Sequence, residues 1–308
     1  MAREPDPGRD QETRERATAR ERSAVAKFVL AIAAPTVLMM LAVSLFTRAP
    51  AERGQRPLPA APDSSGTFDF HHRWDEGPLV VENRLPGQEV RTRLAYERLQ
   101  FMCSSFGVPE SWLEAGRDSE TLRIRAAERG VRVTFDGDQV YFAPDYRWII
   151  EQGRWNVRNV ARELAEAFRN TGLRSQRDFL RLTSSFVQSI EYSIPEAVRH
   201  TSTGEAVNTF GIATPIEVLR NKWGDCDSKS LLFAALLRNT SRQRVVFLIG
   251  NDHLFVGVRG VPRRGDHYVE RSGVRYILIE LTDRWPIGRL PDDLWRAVGR
   301  NRYQIVDP

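Results

Sequence analysis

The run Leu231-Leu232-Phe233-Ala234-Ala235-Leu236-Leu237 is apolar around the whole circumference of a helix. A helix of that kind has no face to give to water, so the rest of the chain must surround it. It begins in Trp223-Gly224-Asp225-Cys226-Asp227-Ser228-Lys229-Ser230 and is predicted to run from Cys226 to about Asn239. A cysteine therefore falls at a helix N-terminus, where unpaired N–H groups and the positive end of the dipole favour an anion. A thiolate is such an anion, and this placement tends to lower a cysteine pKa. Asp225 and Asp227 oppose the effect by like-charge repulsion. The sulfur therefore needs a further partner.

Around this helix the pattern predicts a layered set of elements. Upstream, Pro86-Gly87 opens a helix reaching about Ser105, and a second helix runs from Asp118 to Arg129 with Gly130 as its stop. Val131–Phe135 and Gln139–Ala143 alternate across Asp136-Gly137-Asp138 as a hairpin. Asn156 is read as the cap of the helix VRNVARELAEAFRN, and Ser175 or Gln176 opens the next. In that second helix Phe179, Leu182, Phe186 and Ile190 recur at helical spacing, and Pro195 is its expected end. Residues 196–213 read as a long loop. Thr214-Pro215-Ile216-Glu217 is a helix start with a capping box, for a short helix ending at Lys222 or Trp223. Downstream of the cysteine helix come strands at Arg244–Ile249, His253–Arg259, Tyr268–Arg271 and Val274–Leu281, then a helix near Pro291–Val298 and a last strand at Tyr303–Val306.

The first 66 residues carry no core-forming pattern. Residues 1–27 are a charged tail, and Phe28–Phe46 is an uncharged run of 19 residues. As a helix it would reach about 28 Å, the thickness of a bilayer's hydrocarbon. Arg14, Arg16, Arg20, Arg22 and Lys27 precede it and outweigh Arg48, Arg53 and Arg56 behind it. That bias places the N-terminus inside and the remainder outside the cytoplasm, as a single-pass membrane protein with a periplasmic or extracytoplasmic domain. The rival reading is a cleavable secretory signal with Ala49-Pro50-Ala51 as its small-x-small site. Residues 47–66, with Pro50, Pro57, Pro59 and Pro62, form a tether. Folded parts are then expected at 67–155, a mixed α/β region, and at 156–308.

Charge and cysteine usage limit the function classes. A net charge of +5 and a pI near 9.5 suit nucleic acid, a membrane surface or an anionic envelope polymer as neighbour. No basic cluster is interleaved with aromatics in a recognisable nucleic-acid module, so no nucleic-acid partner is expected. The only cysteines are Cys103 and Cys226, which excludes a disulfide-dense scaffold and a four-cysteine zinc site. Cys103 reads as a small hydrophobe inside Phe101–Phe106, and a Cys103–Cys226 disulfide is an alternative outside the cell. His71-His72 would point to opposite faces of a strand and read as a surface pair. Zinc on Cys226, His253 and an acid lacks a fourth close ligand, so neither metal nor cofactor is expected.

The chemistry lies downstream of the helix. His253 opens HLFVGV, and Glu280 lies near the end of YILIELTD with Asp283 three residues on. A thiol, an imidazole to take its proton and a carboxylate to orient the imidazole are the parts of a nucleophilic triad. Such a site transfers the acyl group of a peptide or amide through a thioester. The backbone N–H of Cys226 is the default oxyanion donor, with Gln188 or Trp223 as candidate second donors.

Residues 176–284 resemble the transglutaminase-like core, in particular its bacterial cysteine-peptidase-like branch. The resemblance rests on SFVQSIEYSIP, TPIEVLRNKWGDCDSKSLLFAALLR, NDHLFVGV and ILIELTD, with the Gly224-Asp225-Cys226-Asp227 helix start as its strongest part. It implies an α+β, papain-like fold with the cysteine helix packed on an antiparallel sheet. It also implies a triad of Cys226, His253 and an acid. Two positions depart from the family. Glu280-Leu281-Thr282 stands where the family has Asp-Pro-Thr, which leaves Glu280 favoured and Asp283 as the alternative. Leu254-Phe255 replaces the usual small residue and tryptophan. The expectation is a membrane-anchored thiol enzyme acting on a peptide or protein substrate of the cell envelope; the alternative is a non-catalytic envelope scaffold.

Overall fold

The computed structural model describes residues 70–74, 79–83, 89–92, 102, 104–114, 119–137, 139–201, 203–241, 243–250 and 253–308. The tail, the apolar run 28–46, the tether and Cys103 lie outside them. Among the described residues no helix is long and apolar enough to cross a membrane. The chain divides into two compact units, one of which contributes only Thr134–Tyr141 to the described part, the tip of a hairpin. The other unit, from Ala61–Val133 and Phe142–Pro308, holds everything that follows.

Its first part is a three-stranded antiparallel sheet of β1 (Phe70–Trp74), β2 (Leu79–Asn83) and β3 (Glu89–Thr92). The helix expected from Pro86 is therefore a strand at Glu89–Thr92, whose Val90 pairs with Val81. Ladder pairing with β2 overrides the helical propensity of an Arg- and Glu-rich segment. A two-residue strand β4 (Val108–Pro109) leads into α1 (Glu110–Glu114) and α2 (Ser119–Glu128), which stops at Gly130 with φ +69°. The hairpin β5 (Val131–Asp136) and β6 (Gln139–Pro144) follows.

Helix α3 (Tyr146–Asn170) starts ten residues before the expected cap. Asp145 is the cap, its Oδ1 accepting from the Trp148 N–H at 3.1 Å, and Asn156 sits inside the helix. Gly153 permits this helix to lie against α5 (Pro215–Asn221), because a Cβ there would meet the Pro215 ring at 2.6 Å. Helix α4 (Gln176–Gln188) is capped by Ser175 and ends at Ser189, before Pro195, so that β7 (Glu191–Tyr192) can form. The expected loop 196–213 contains a second hairpin, β8 (Val198–His200) and β9 (Ala206–Asn208), which adds β4 to make a three-stranded antiparallel sheet. The half-buried Arg199–Glu217 ion pair ties that hairpin to α5. Glu217 also closes the capping box at Thr214.

After α5 the chain turns through Lys222, left-handed at φ +61°, into β10 (Trp223–Gly224), which pairs in parallel with β7. Then α6 (Cys226–Thr240) passes through the centre, with every residue from Ser228 to Leu237 buried. Burying each large apolar side chain contributes roughly 1.5–3 kcal/mol, against about 1 kcal/mol for the Asp225 cap. Packing decides where this helix goes, and the cap decides where it begins.

The main sheet is antiparallel throughout, in the order β13 (Tyr268–Arg271), β14 (Val274–Ile279), β12 (His253–Arg259), β11 (Val245–Gly250) and β15 (Gln304–Val306). Alternation divides its side chains. Phe247, Leu254, Val256, Val258, Ile277 and Ile279 join the core that holds α6. Val246, Leu248, Phe255, Tyr276 and Leu278 join a second core with Leu294, Trp295 and Val298 of α7 (Asp292–Gly299). The protein is thus a mixed α and β fold with an apolar central helix on an antiparallel sheet.

Candidate active site

The cysteine helix begins where its local chemistry dictates. Asp225 Oδ1 accepts from the Ser228 N–H at 3.0 Å, and the first helical bond runs from the Lys229 N–H to the Asp225 carbonyl. Gly224 leaves room for the tight approach, since a Cβ would lie 3.2 Å from both Ser228 and Val218. Ser228 accepts the Ala213 N–H at 2.9 Å, which fastens the loop before α5 to the same turn. Cys226 is left 8% exposed, as a free thiol.

The sulfur is not activated in this arrangement. Burial pushes its pKa well above the ordinary thiol range, and the charges of Asp227 and Asp225 push the same way. The Leu254 backbone N–H at the start of β12 works against them. The thiol donates to Asp227 Oδ1 at 3.4 Å, and the other oxygen of that carboxylate accepts the Tyr146 hydroxyl at 2.7 Å. Helix dipole and N-terminal N–H groups, which favour a thiolate on sequence grounds, lose to desolvation and two adjacent carboxylates.

The imidazole has a carboxylate of its own. His253 Nε2 and Glu280 Oε2 are 2.8 Å apart, and Glu280 is 1% exposed. Strand register explains the meeting. Val256 pairs with Ile279, so Glu280 follows on the face of Phe255, and His253 lies on that same face with its ring stacked on Phe255 at 6.3 Å. Burial works to raise the Glu280 pKa, but the His253 bond and charge and the Thr282 hydrogen bonds hold it below the usual value. For His253 burial works downward, and the Glu280 bond and charge outweigh it and raise the pKa, with Asp227 and Asp293 adding. Glu280 Oε1 is saturated: it accepts the Leu281 N–H at 3.0 Å, the Thr282 N–H at 2.8 Å and the Thr282 hydroxyl at 2.6 Å.

Of the two acids considered, Glu280 meets the imidazole. Asp283 lies past the end of β14 and accepts the Arg284 N–H at 2.6 Å. Gln188 does not offer its amide to an oxyanion. Its Nε2 donates to the carbonyls of Glu280 and Trp285, at 2.7 Å each, and so holds the loop that carries the acid. Trp223 contributes its backbone to the β7–β10 pair next to the cysteine turn. The sulfur is bonded to Asp227 and the imidazole to Glu280, and no hydrogen bond joins the two directly.

Three further residues belong here that periodicity does not single out. Tyr146 reaches Asp227 from 81 positions upstream. Tyr192, 47% exposed, has its pKa pushed up to about 12, by burial first and then by the charges of Cys226, Asp225, Asp227 and Glu280. Lys229 is wholly buried one turn beyond the cysteine. Its position inside an otherwise apolar helix face was the one available signal. Asp225 is pushed up to about 6, by burial first and by Asp227, while the Ser228 hydrogen bonds oppose the rise. Among the described residues no group of three or more His, Cys, Asp or Glu side chains is arranged to hold a metal ion.

Compared with protein-family models, curated proteins and solved structures, the chain finds no match.

Proposed function

We propose that this protein is a transglutaminase-like thiol enzyme that cleaves or transfers the acyl group of a peptide or protein amide, with Cys226 as nucleophile, His253 as base and Glu280 as the acid that orients it. The observation that carries the reading is the His253–Glu280 pair, 2.8 Å apart with its carboxylate buried, placed one residue from the N–H that meets the Cys226 sulfur. With Nε2 engaged by Glu280, Nδ1 is the nitrogen free to accept a proton. The thiol proton passes to that nitrogen as sulfur attacks the carbonyl carbon, giving a tetrahedral oxyanion facing the Cys226 N–H. Collapse breaks the C–N bond, and the imidazolium returns its proton to the leaving amine. Water or an acceptor amine, deprotonated by His253, then attacks the thioester and releases the thiol. For this cycle to begin, the sulfur must turn from Asp227 to the imidazole.

The test is labelling of Cys226 by iodoacetamide in the full chain, mapped by mass spectrometry. His253→Ala is expected to slow labelling at neutral pH at least tenfold; equal rates would sink the triad. The apolar run 28–46 and its flanking charges support anchorage in a membrane with the folded part outside the cytoplasm. Protease accessibility of the full chain in intact and opened cells checks that placement.

A second reading is favoured by one observation, the Cys226–Asp227 bond that keeps the sulfur protonated. In that reading the fold is a non-catalytic envelope scaffold. Loss of cellular function in Cys226→Ala with a folded protein decides for the enzyme; unchanged function decides for the scaffold.

A further inference from the structure

Lys229 is the one lysine of α6, within its buried stretch Ser228–Leu237, and it is 0% exposed. A buried ammonium is costly unless hydrogen-bonded and paired, so its partners matter. Its Nζ donates to the Ile190 carbonyl at 2.7 Å and reaches the Thr282 carbonyl at 3.5 Å. Ile190 joins the end of α4 to β7, the strand that carries Tyr192. Thr282 is the residue whose N–H and hydroxyl hold Glu280 Oε1 at 2.8 and 2.6 Å. The other oxygen of Glu280 holds His253.

The contacts therefore form an unbroken line from Lys229 through Thr282 and Glu280 to the imidazole. Gln188 supports the same loop from α4, through the Glu280 and Trp285 carbonyls. Cys226 and Lys229 lie three residues apart on one helix, so a single rigid element sets both the sulfur and the support of the acid. We infer that Lys229 is a positioning residue, which fixes the Glu280 turn relative to Cys226 so that Glu280 meets His253. This inference rests on the triad reading for its catalytic meaning, while the contacts themselves do not depend on it.

Energetically the arrangement is poised. Burial lowers the Lys229 pKa to about 8, with the charges of Glu280 and Asp283 opposing the drop. An apolar side chain would avoid that cost, which argues that the ammonium is kept for what it holds.

The sign of one measurement separates positioning from proximity. As a nearby cation, Lys229 disfavours protonation of His253, so removing its charge would raise the His253 pKa. As the support of Glu280, its loss releases the carboxylate from the ring, and the burial of His253 then takes its pKa down. The experiment is the NMR titration of the His253 ring in the full chain, in wild type, Lys229→Met, Lys229→Gln and Glu280→Gln, with thermal melting as the check on folding. The expected result is a downward shift in Lys229→Met, in the direction of Glu280→Gln, and a smaller one in Lys229→Gln, which keeps a donor without the charge. An upward shift or none overturns the inference. So does failure of both Lys229 variants to fold, which would make the residue a structural one only. None of these readouts needs turnover. If His253→Ala leaves Cys226 labelling unchanged while the titration shifts as expected, the triad fails and the positioning stands.

Discussion

Replacing Glu280 by glutamine tests the acid, the tautomer and the choice over Asp283 in one change. The substitution is nearly isosteric in a side chain that is 1% exposed. The amide oxygen can inherit the Oε1 position, with its three donors from Leu281 and Thr282. The amide nitrogen then faces His253 Nε2 at the place of the present 2.8 Å contact. It can only donate, so Nε2 becomes the unprotonated nitrogen and the ring proton moves to Nδ1. The nitrogen that should receive the thiol proton is thereby blocked. One charge-assisted bond is lost, worth roughly 1.5–3 kcal/mol, or about 10- to 160-fold in any rate that depends on the imidazolium. Inverting a catalytic histidine's tautomer costs about 10⁴-fold in a serine protease, which sets the outer limit. The assay is the iodoacetamide rate at Cys226 across pH 5–9 (on the order of the His range), with Asp283→Asn beside it. Glu280→Gln is expected to lose at least tenfold and Asp283→Asn less than threefold. The reverse order would refute the assignment, and equal small effects would refute the triad.

Three other expectations follow from the same turn and its helix. Asp225→Asn keeps the cap but removes an acid whose pKa rises from 3.8 to about 6 on folding; a raised acid binds more protons when folded, so wild-type stability falls as pH rises from below 4 through about 6. The variant should therefore be more stable than wild type at pH 7, by up to about 3 kcal/mol, and equal to it near pH 3, as read by urea unfolding. Asp227→Asn removes the charge that favours the protonated thiol, so Cys226 labelling at neutral pH should accelerate; a slower rate would mean that Asp227 assists the sulfur. Phe233→Ala empties the centre of α6 and should destabilise by about 3–5 kcal/mol in chemical denaturation, whereas a loss under 1 kcal/mol would mean that the helix is not the hub of the core.

Where an element announces itself by period or by a local cap, the sequence and the structure coincide. The capping box at Thr214, the strand at His253–Arg259 and the all-apolar α6 are of this kind. The misplaced elements depend either on a partner far along the chain or on pairing between strands of three to five residues, too short to show a period. Asn156 looks like a cap because asparagine is a good one, yet α3 runs through it from Asp145, and Gly153 in its middle answers to Pro215. The pairings of β3 with β2 and of β8 with β9 in short polar segments leave no periodic trace. At the site, spacing along the strands made His253 and Glu280 candidates. It could not reveal that Gln188 serves two carbonyls, that Asp227 takes the Tyr146 hydroxyl, or that Lys229 supports Thr282, because each is a contact across dozens of residues.

The turn into α6 has a consequence for how the chain can vary. From Gly224 to Lys229 each residue answers to a different outside demand. Gly224 leaves only a tight space for a side chain, Asp225 caps, Cys226 presents the sulfur, and Asp227 is claimed by Tyr146. Ser228 takes the Ala213 N–H, and Lys229 reaches two separate carbonyls. Because the demands come from separate elements, no single compensating change elsewhere can relax more than one of them. In a saturation scan this stretch should appear as an unbroken block of intolerance, while the strands around it show the every-other-residue rhythm of a sheet.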